Sequence, residues 1–526
     1  MVDTSILYIS LILALLLLVM LSDWLKVTYP VILVLGGLAL SFLPGLPEMK
    51  VNPELMFIIF LPPLLYDAAW YASWKNLWRW RRVISGFAFP IVLITSFVIA
   101  LVSSTLIPGF TLALGFLLGG IISPPDAVSA TSILKHVKVP RRISVVLEGE
   151  SLLNDASSLI VYRFALVAVS SGTFIYYEAA LSFVWVIVMG VLIGVAVGML
   201  YFAAHRWLPT DSNIDIVLTL TTPYVMYLVA ENFHVSGVIA VVSGALFLSE
   251  RSHNFLSHSS RTRATNVWAA FGFLLNGVVF LLIGLELPVI VSQLGSVSLG
   301  QAIYYGCLIT AVLIVTRIIC SLGVSAFTMF ISRFIKTEDN RPGWKGPIII
   351  GWAGMRGVVS LAAALSIPLM LSNGTTFPQR NLILFITFTV ILLTLVLHGL
   401  TLPLVIKWVN MDDPDHYMPP EEQELMIRKK LAEVSLKYLQ DEHAGIMSSN
   451  THLQQLKERL ESDMLLVEFD GTAEQKEYRK IYLYILKKQR ATLLELNKSL
   501  ETDEEMVKKY QGLLDLEEEK IKTIFH

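Results

Sequence analysis

The chain has 526 residues, 55% of them hydrophobic and 16% charged, with a mean hydropathy of +0.64. Soluble domains carry about 25% charged residues, so an ordinary soluble enzyme is excluded. Of 40 basic and 42 acidic residues, 17 basic and 25 acidic ones lie from Met411 onward, which predicts an apolar polytopic membrane domain over 1–410 and a charged tail over 411–526.

A hydropathy window of about 19 residues predicts thirteen transmembrane helices, near 4–22, 27–44, 54–70, 83–107, 110–135, 143–171, 177–204, 213–232, 235–250, 266–287, 300–332, 346–370 and 381–409. No Lys or Arg precedes the first, so it reads as a retained helix and not a cleaved signal. Loops after odd-numbered spans carry 17 basic residues, among them Lys26, Lys75, Arg79, Arg81, Arg82, Lys135, Lys138, Arg141, Arg142, Arg206, Lys336, Arg341 and Lys345. Loops after even-numbered spans carry Lys50 and Arg380. The positive-inside rule then places the N-terminus outside and the tail in the cytoplasm.

Two spans are interrupted. The fifth contains Ser123-Pro124-Pro125-Asp126, where two prolines remove backbone donors and free the carbonyls of Gly120 and Ile121. Free carbonyls in lipid are costly, so this break must face protein or a polar cavity. The twelfth contains Gly351-Trp352-Ala353-Gly354-Met355-Arg356-Gly357, glycines around a buried cation. The two broken spans are seven apart in order, as expected for two inverted six-helix repeats, spans 1–6 and 8–13, joined by span 7. Broken helices at matching positions of inverted repeats point to a secondary transporter's binding site.

After Met411 the composition changes at Asp412-Asp413-Pro414-Asp415 and Pro419-Pro420. Helices are expected near 421–443, 450–466, 472–499 and 502–524, separated by Ser448-Ser449-Asn450 and Asp470-Gly471. They form a helical cytoplasmic tail, regulatory or dimer-stabilising.

Ionisable groups within spans are expensive and functional by default. At 1.5 Å per residue, Asp126 lies roughly 14 Å, Arg356 roughly 16 Å and Asp155 roughly 20 Å from the inner edge, all near the middle of a core about 30 Å thick. Ser151 shares a helix face with Asp155, and Glu150 with Asn154. Carboxylate, hydroxyl and main-chain oxygens suit a hard monovalent cation such as Na⁺. A single carboxylate can hold a proton or a cation, but not both, which is the basis of exchange. Arg356 needs an acidic partner, with Glu150 or Glu148 nearest in depth. Asp126 can also cap the half-helix after the break, and Asn154 is expected to hydrogen-bond the unwound backbone. Arg317 reads as structural, Arg163 as snorkelling to the outer interface, and Asp67, Glu231 and Glu286 as interfacial.

No phosphate loop, nucleophile elbow or zinc-binding helix occurs, so neither an ATP-driven pump nor a soluble-type enzyme is indicated, and no cofactor. The charge distribution shows no footprint for nucleic acid. Cys307 and Cys320, both in apolar runs, indicate neither disulfide nor metal site.

Together the motifs Phe60-Leu61-Pro62-Pro63 through Asp67, Ser123-Pro124-Pro125-Asp126, Gly149-Glu150-Ser151-Leu152-Leu153-Asn154-Asp155, Ala230-Glu231 with His234-Val235-Ser236-Gly237, and Gly354-Met355-Arg356-Gly357 resemble the cation:proton antiporter-1 family. That family comprises bacterial Na⁺/H⁺ antiporters related to NhaP and the animal sodium/proton exchangers. The resemblance covers roughly residues 5–410. It implies a homodimer of thirteen-helix protomers in the bilayer, with Asp155 binding cation or proton helped by Ser151 and Asp126. It also implies a structural Glu150–Arg356 ion pair, and Asn154 ahead of Asp155 marks the electroneutral branch. Relatives often carry Thr-Asp-Pro where this chain has Pro125-Asp126-Ala127, so a threonine side-chain ligand is missing while a main-chain carbonyl ligand survives. Na⁺ is the first expectation for the cation, with K⁺ and Li⁺ behind it; a cation-coupled solute symporter or a passive channel is the remoter alternative.

Overall fold

The computed structural model describes residues 2–43, 53–134, 137, 139–172, 176–295, 297–334, 343–371, 374–411, 420–447, 450–468, 473–496 and 504–524. Lys50, Lys135, Lys138, Lys336, Arg341, the 412–415 run, Pro419, Ser448, Ser449, Asp470 and Gly471, all singled out above, lie outside them. The chain divides into two compact units, Met1–Pro414 and Asp415–His526.

The first unit begins with α1 (Val2–Leu25), α2 (Tyr29–Leu40) and α3 (Pro53–Tyr71). Helix α4 (Trp74–Gly86) runs through a π-helical turn, Phe87–Ile91, into α5 (Val92–Leu106). The turn holds Pro90, and the Ala88 carbonyl accepts a 2.6 Å bond from Ser157 Oγ. Next come the paired half-helices α6 (Leu112–Ile122) and α7 (Ala127–Leu134), then α8 (Arg141–Ser171), α9 (Tyr176–Trp207), α10 (Ser212–Asn232) and α11 (Gly237–Phe255). Helix α12 (His258–Leu285) continues into the short α13 (Leu287–Ser292), followed by α14 (Leu299–Ile331). A second pair of half-helices, α15 (Lys345–Trp352) and α16 (Val358–Leu365), precedes α17 (Arg380–Val409).

Among the described residues eight helices are long and apolar enough to cross a membrane, and Tyr29–Leu40 and Leu112–Ile122 are shorter apolar helices. No strand occurs among the described residues beyond one isolated bridge, Met370 to Thr376. The protein is therefore an all-helical, multi-pass membrane protein.

Small residues set how closely these helices pack, as expected where lipid supplies no hydrophobic drive. A Cβ on Gly119 would lie 2.7 Å from the Ser96 backbone, where α6 meets α5, and one on Gly120 would lie 2.9 Å from Tyr162 N on α8. Helix α6 is thus wedged between α5 and α8, which fixes where its C-terminal end, and the break after it, must sit.

The second unit consists of α18 (Pro420–Met447), α19 (Thr451–Glu468), α20 (Ala473–Leu496) and α21 (Glu504–Ile524). Helices α18 and α19 pack on each other, as do α20 and α21. Leu486 of α20 and Val507 and Ile521 of α21 are buried.

Candidate functional site

The two interrupted helices meet at their breaks. Pro124 and Pro125 cannot donate to the preceding turn, so α6 ends at Ile122 and α7 starts again at Ala127. The second interrupted helix ends at Trp352 and begins again at Val358. Backbone groups left open in a bilayer must be satisfied by protein, and here each break supplies the other. Asp126 N donates to Met355 O at 2.7 Å. The Arg356 guanidinium spreads its donors over three carbonyls: Nε to Ile122 O at 2.7 Å, Nη2 to Ser123 O at 3.0 Å, and Nη1 to Gly354 O. Arg356 N is met in turn by Thr394 Oγ1 of α17 at 3.2 Å. Gly357 must lack a side chain, because a Cβ there would lie 2.3 Å from Asp126 Oδ2.

Beside this crossing lies a cavity of about 510 Å³. Pro125 and Asp126 border it from the break, Ser151 and Asp155 from α8, Asp67 from α3 and Ser360 from α16. It extends along α8 to Glu148 and along α3 to Tyr71 and Ala72, toward the end of the bundle that carries the basic α3–α4 turn. Asp155 is only 6% exposed. Ser129 Oγ donates to Asp126 Oδ2 at 2.7 Å, which holds that carboxylate at the start of α7. Asn154 is fully buried and stands behind the cavity wall, its Nδ2 donating to Pro125 O at 3.2 Å.

Three polar atoms around the cavity are buried without a hydrogen-bond partner: Asp67 Oδ1, Asn276 Oδ1 and Ser360 Oγ. Buried oxygen without a donor is costly, and water or a small cation at this place would relieve it. Carboxylate, hydroxyl and amide oxygens are the donor set of a hard cation. Among the described residues no group of three or more His, Cys, Asp or Glu side chains is gathered closely enough to hold a resident metal; the carboxylates surround a space instead of closing on a point.

The structure thus brings Pro125, Asp126, Ser151 and Asp155 together at one cavity, with Asn154 bracing the break, and corrects the expected Glu150–Arg356 pair. Glu150 is held by Arg317 of α14, Nη1 to Oε1 at 2.8 Å and Nη2 to Oε2 at 2.9 Å. Both side chains are sealed from solvent. The physical reason is that Arg356 spends its donors on the carbonyls freed at the breaks, while the planar fork of Arg317 matches a carboxylate on both prongs. Arg163 does not stand alone at the interface either: it donates to both oxygens of Glu231, at 2.7 and 2.6 Å, and Glu231 Oε1 also accepts from Gly237 N at 3.2 Å.

Asp67, expected near the interface, lines this cavity from α3. The Pro62-Pro63 pair just before it, in α3, was the available signal, since polar groups near in-span prolines tend to face protein.

Residues 10–408 match the family model described as "Sodium/hydrogen exchanger, transmembrane". The chain is 35% identical over 382 residues to a sodium, potassium, lithium and rubidium/H⁺ antiporter of Bacillus subtilis, covering 70% of this chain and 56% of that one. It is 30% identical over 490 residues to the Na⁺/H⁺ antiporter ApNhaP of Aphanothece halophytica, covering 91% of this chain and 87% of the relative. Among solved structures, the sodium proton antiporter MjNhaP1 of Methanocaldococcus jannaschii superposes with a TM-score of 0.61 at 17% identity, over 80% of this chain and 100% of that one. At that identity the likeness is one of fold.

Proposed function

Because the chain belongs to the sodium/hydrogen exchanger family, we propose that it exchanges one monovalent cation, Na⁺ first, for one proton across the plasma membrane, with Asp155 as the group for which both compete. The observation that carries this reading is the cavity at the crossed breaks, lined by Asp155, Asp126 and Ser151. In this reading a cation arriving at Asp155 displaces its proton, and a proton arriving displaces the cation. Neither carrier crosses alone, because a bare carboxylate in a dry protein interior is too costly to move. One titrating carboxylate per cycle makes the exchange electroneutral. Asp126 and Ser151 complete the cation's oxygen shell, Pro125 and Asn154 hold the break in shape, and Glu150 with Arg317 is structural.

The architecture in this reading is thirteen crossings. Helices α2, α3, α11 and the two interrupted pairs supply the five beyond the eight long apolar ones, and spans 1–6 and 8–13 form inverted repeats. The N-terminus lies outside and the 411–526 tail in the cytoplasm, where it supports a homodimer. The cavity extends toward the basic-loop end, so this conformation is the one that loads from the cytoplasm. The physiological role is regulation of internal pH and sodium. A second reading, with K⁺ or Li⁺ carried as well, is favoured by the cations for which the Bacillus subtilis relative is named and by proline at position 125, which leaves a main-chain carbonyl in place of a threonine hydroxyl.

The test is dissipation of a pH gradient in proteoliposomes on addition of NaCl, KCl or choline chloride, with the membrane potential first clamped and then released. Cation-dependent proton movement that is indifferent to potential and lost in Asp155→Asn is the expected result. Transport surviving in Asp155→Asn would remove Asp155 from the exchange.

A further inference from the structure

A second cavity, of about 680 Å³, lies at the end of the membrane unit where α1 turns into α2. Its walls come from that turn, from Val137, Val139 and Pro140 ahead of α8, from α15 and from the last turns of α17. Val139, Ile349 and Ile406 make an apolar wall, Lys26 and Lys407 are its cations, and among the described residues no acidic side chain lines it. Neither lysine side chain has a hydrogen-bond or ion-pair partner among the described residues. The neighbouring Lys345 is used differently: its Nζ donates to Asn410 O at 2.8 Å and ties the start of α15 to the end of α17.

The tryptophans beside these lysines give the depth of the cavity in the bilayer. Trp24, Trp344 and Trp408 are 78%, 50% and 72% exposed, and the last two rings approach to 6.2 Å. Tryptophan collects where acyl chains give way to head groups. The cavity therefore sits at head-group level, with two cations that have no acidic partner among the described residues and an apolar wall beneath them. Basic pockets between transmembrane helices at this level suit phosphate-bearing head groups.

We propose that this cavity is a binding site for a phosphate anion, filled in the bilayer by the phosphodiester of an anionic phospholipid. Lys26 and Lys407 hold the phosphate, and the glycerol and upper acyl chain lie on Val139, Ile349 and Ile406. Free phosphate would satisfy the lysines but leave that wall uncovered. Because the walls include one half of an interrupted helix and Val137 and Val139, which follow another, an occupant also links both to the α1–α2 turn.

Native mass spectrometry of the detergent-purified full chain tests this, by titration with phosphatidylglycerol or phosphatidylcholine. The wild type is expected to prefer phosphatidylglycerol. Lys26→Gln/Lys407→Gln is expected to bind it about thirtyfold more weakly, from the usual contribution of each lysine at a membrane surface. Phosphatidylcholine binding should not change, and Lys26→Arg/Lys407→Arg should keep the preference. If the double glutamine variant fails to fold, each single variant carries the comparison at about fivefold. Thermal stabilisation by inorganic phosphate that is lost in the glutamine variants, without a lipid preference, would keep the phosphate site and assign it to a soluble source. Equal phosphatidylglycerol binding in wild type and glutamine variants, or no response of the wild type to either anion, would overturn the proposal. Binding is read without transport, so neither result bears on the exchange reading.

Discussion

Glu150 of α8 and Arg317 of α14 face each other through two parallel hydrogen bonds of 2.8 and 2.9 Å, with the guanidinium side chain 2% and the carboxylate 0% exposed. A pair this deep adds little over a well-packed apolar pair, but losing one partner strands the other charge. Glu150→Leu or Arg317→Met alone should destabilise by about 3–5 kcal/mol. The double variant should lose less than either single one. Thermal unfolding of the purified protein in detergent reads this directly; single variants as stable as wild type would show that the pair is not the constraint described.

Asp67 borders the cavity at the crossed breaks with a buried, unpartnered oxygen. Asp67→Asn should raise the KM for the cation by about tenfold or more, the scale of one interaction with a charged group. Exchange should persist at saturating cation, because Asp155 remains. An unchanged KM would place Asp67 outside the cation's path.

Gly357 is forced by crowding, with Asp126 Oδ2 standing where its Cβ would go. Gly357→Ala should push the Asp126 carboxylate off its position and sharply reduce transport. Gly323→Ala in α14, where no atom lies within 4 Å of the added carbon, is the matched control and should transport normally. Equal activity in the two variants would mean that the crossing tolerates a shift.

In the second unit, Arg490 of α20 donates to Asp515 at 2.6 Å and to Glu518, and Lys522 joins Glu518 at 2.6 Å. Hydrogen bonds from Lys522 and then Arg490 hold the Glu518 carboxyl below its ordinary value. A carboxylate lowered by folding stabilises the fold above its unfolded pKa, and that contribution fades as pH falls through the folded value. Hydrogen exchange in α20 and α21 of the full chain, corrected for intrinsic rates, should therefore quicken modestly below the usual carboxylate range. The effect should be small because the network is exposed, and it should shrink in Arg490→Ala and vanish in Arg490→Ala/Lys522→Ala. Acid acceleration that persists in the double variant would assign it to other groups.

Much of the site could be read from the sequence because the strongest signals are one-dimensional. The Pro124-Pro125 pair with Asp126 marks a break in mid-span, although Pro62-Pro63 leaves α3 continuous, and counting residues from a basic loop gives depth, so Asp126, Asp155 and Arg356 could be assigned to one level. Depth does not give direction around a helix axis. Arg317 and Arg356 both lie deep enough to reach Glu150, and only the packed structure shows which guanidinium points at the carboxylate and which at the freed carbonyls. Asp67 shows a related limit: its place near the end of α3 looks shallow in sequence, yet the cavity extends along α3 to meet it.

Arg356 has one further consequence. It grips Ile122 and Ser123 of one break from within the other, while Asp126 N reaches back to Met355. The two breaks are therefore stitched in both directions, and neither half-crossing can slide without tearing polar bonds that no lipid can replace. In the proposed exchange, a displacement that carries the cavity from one face of the membrane to the other would carry both breaks as a single cage, and a passenger leaking through midway would require that cage to come apart. Fidelity of coupling would then be a mechanical property, set by an arginine whose donors are given to backbone carbonyls.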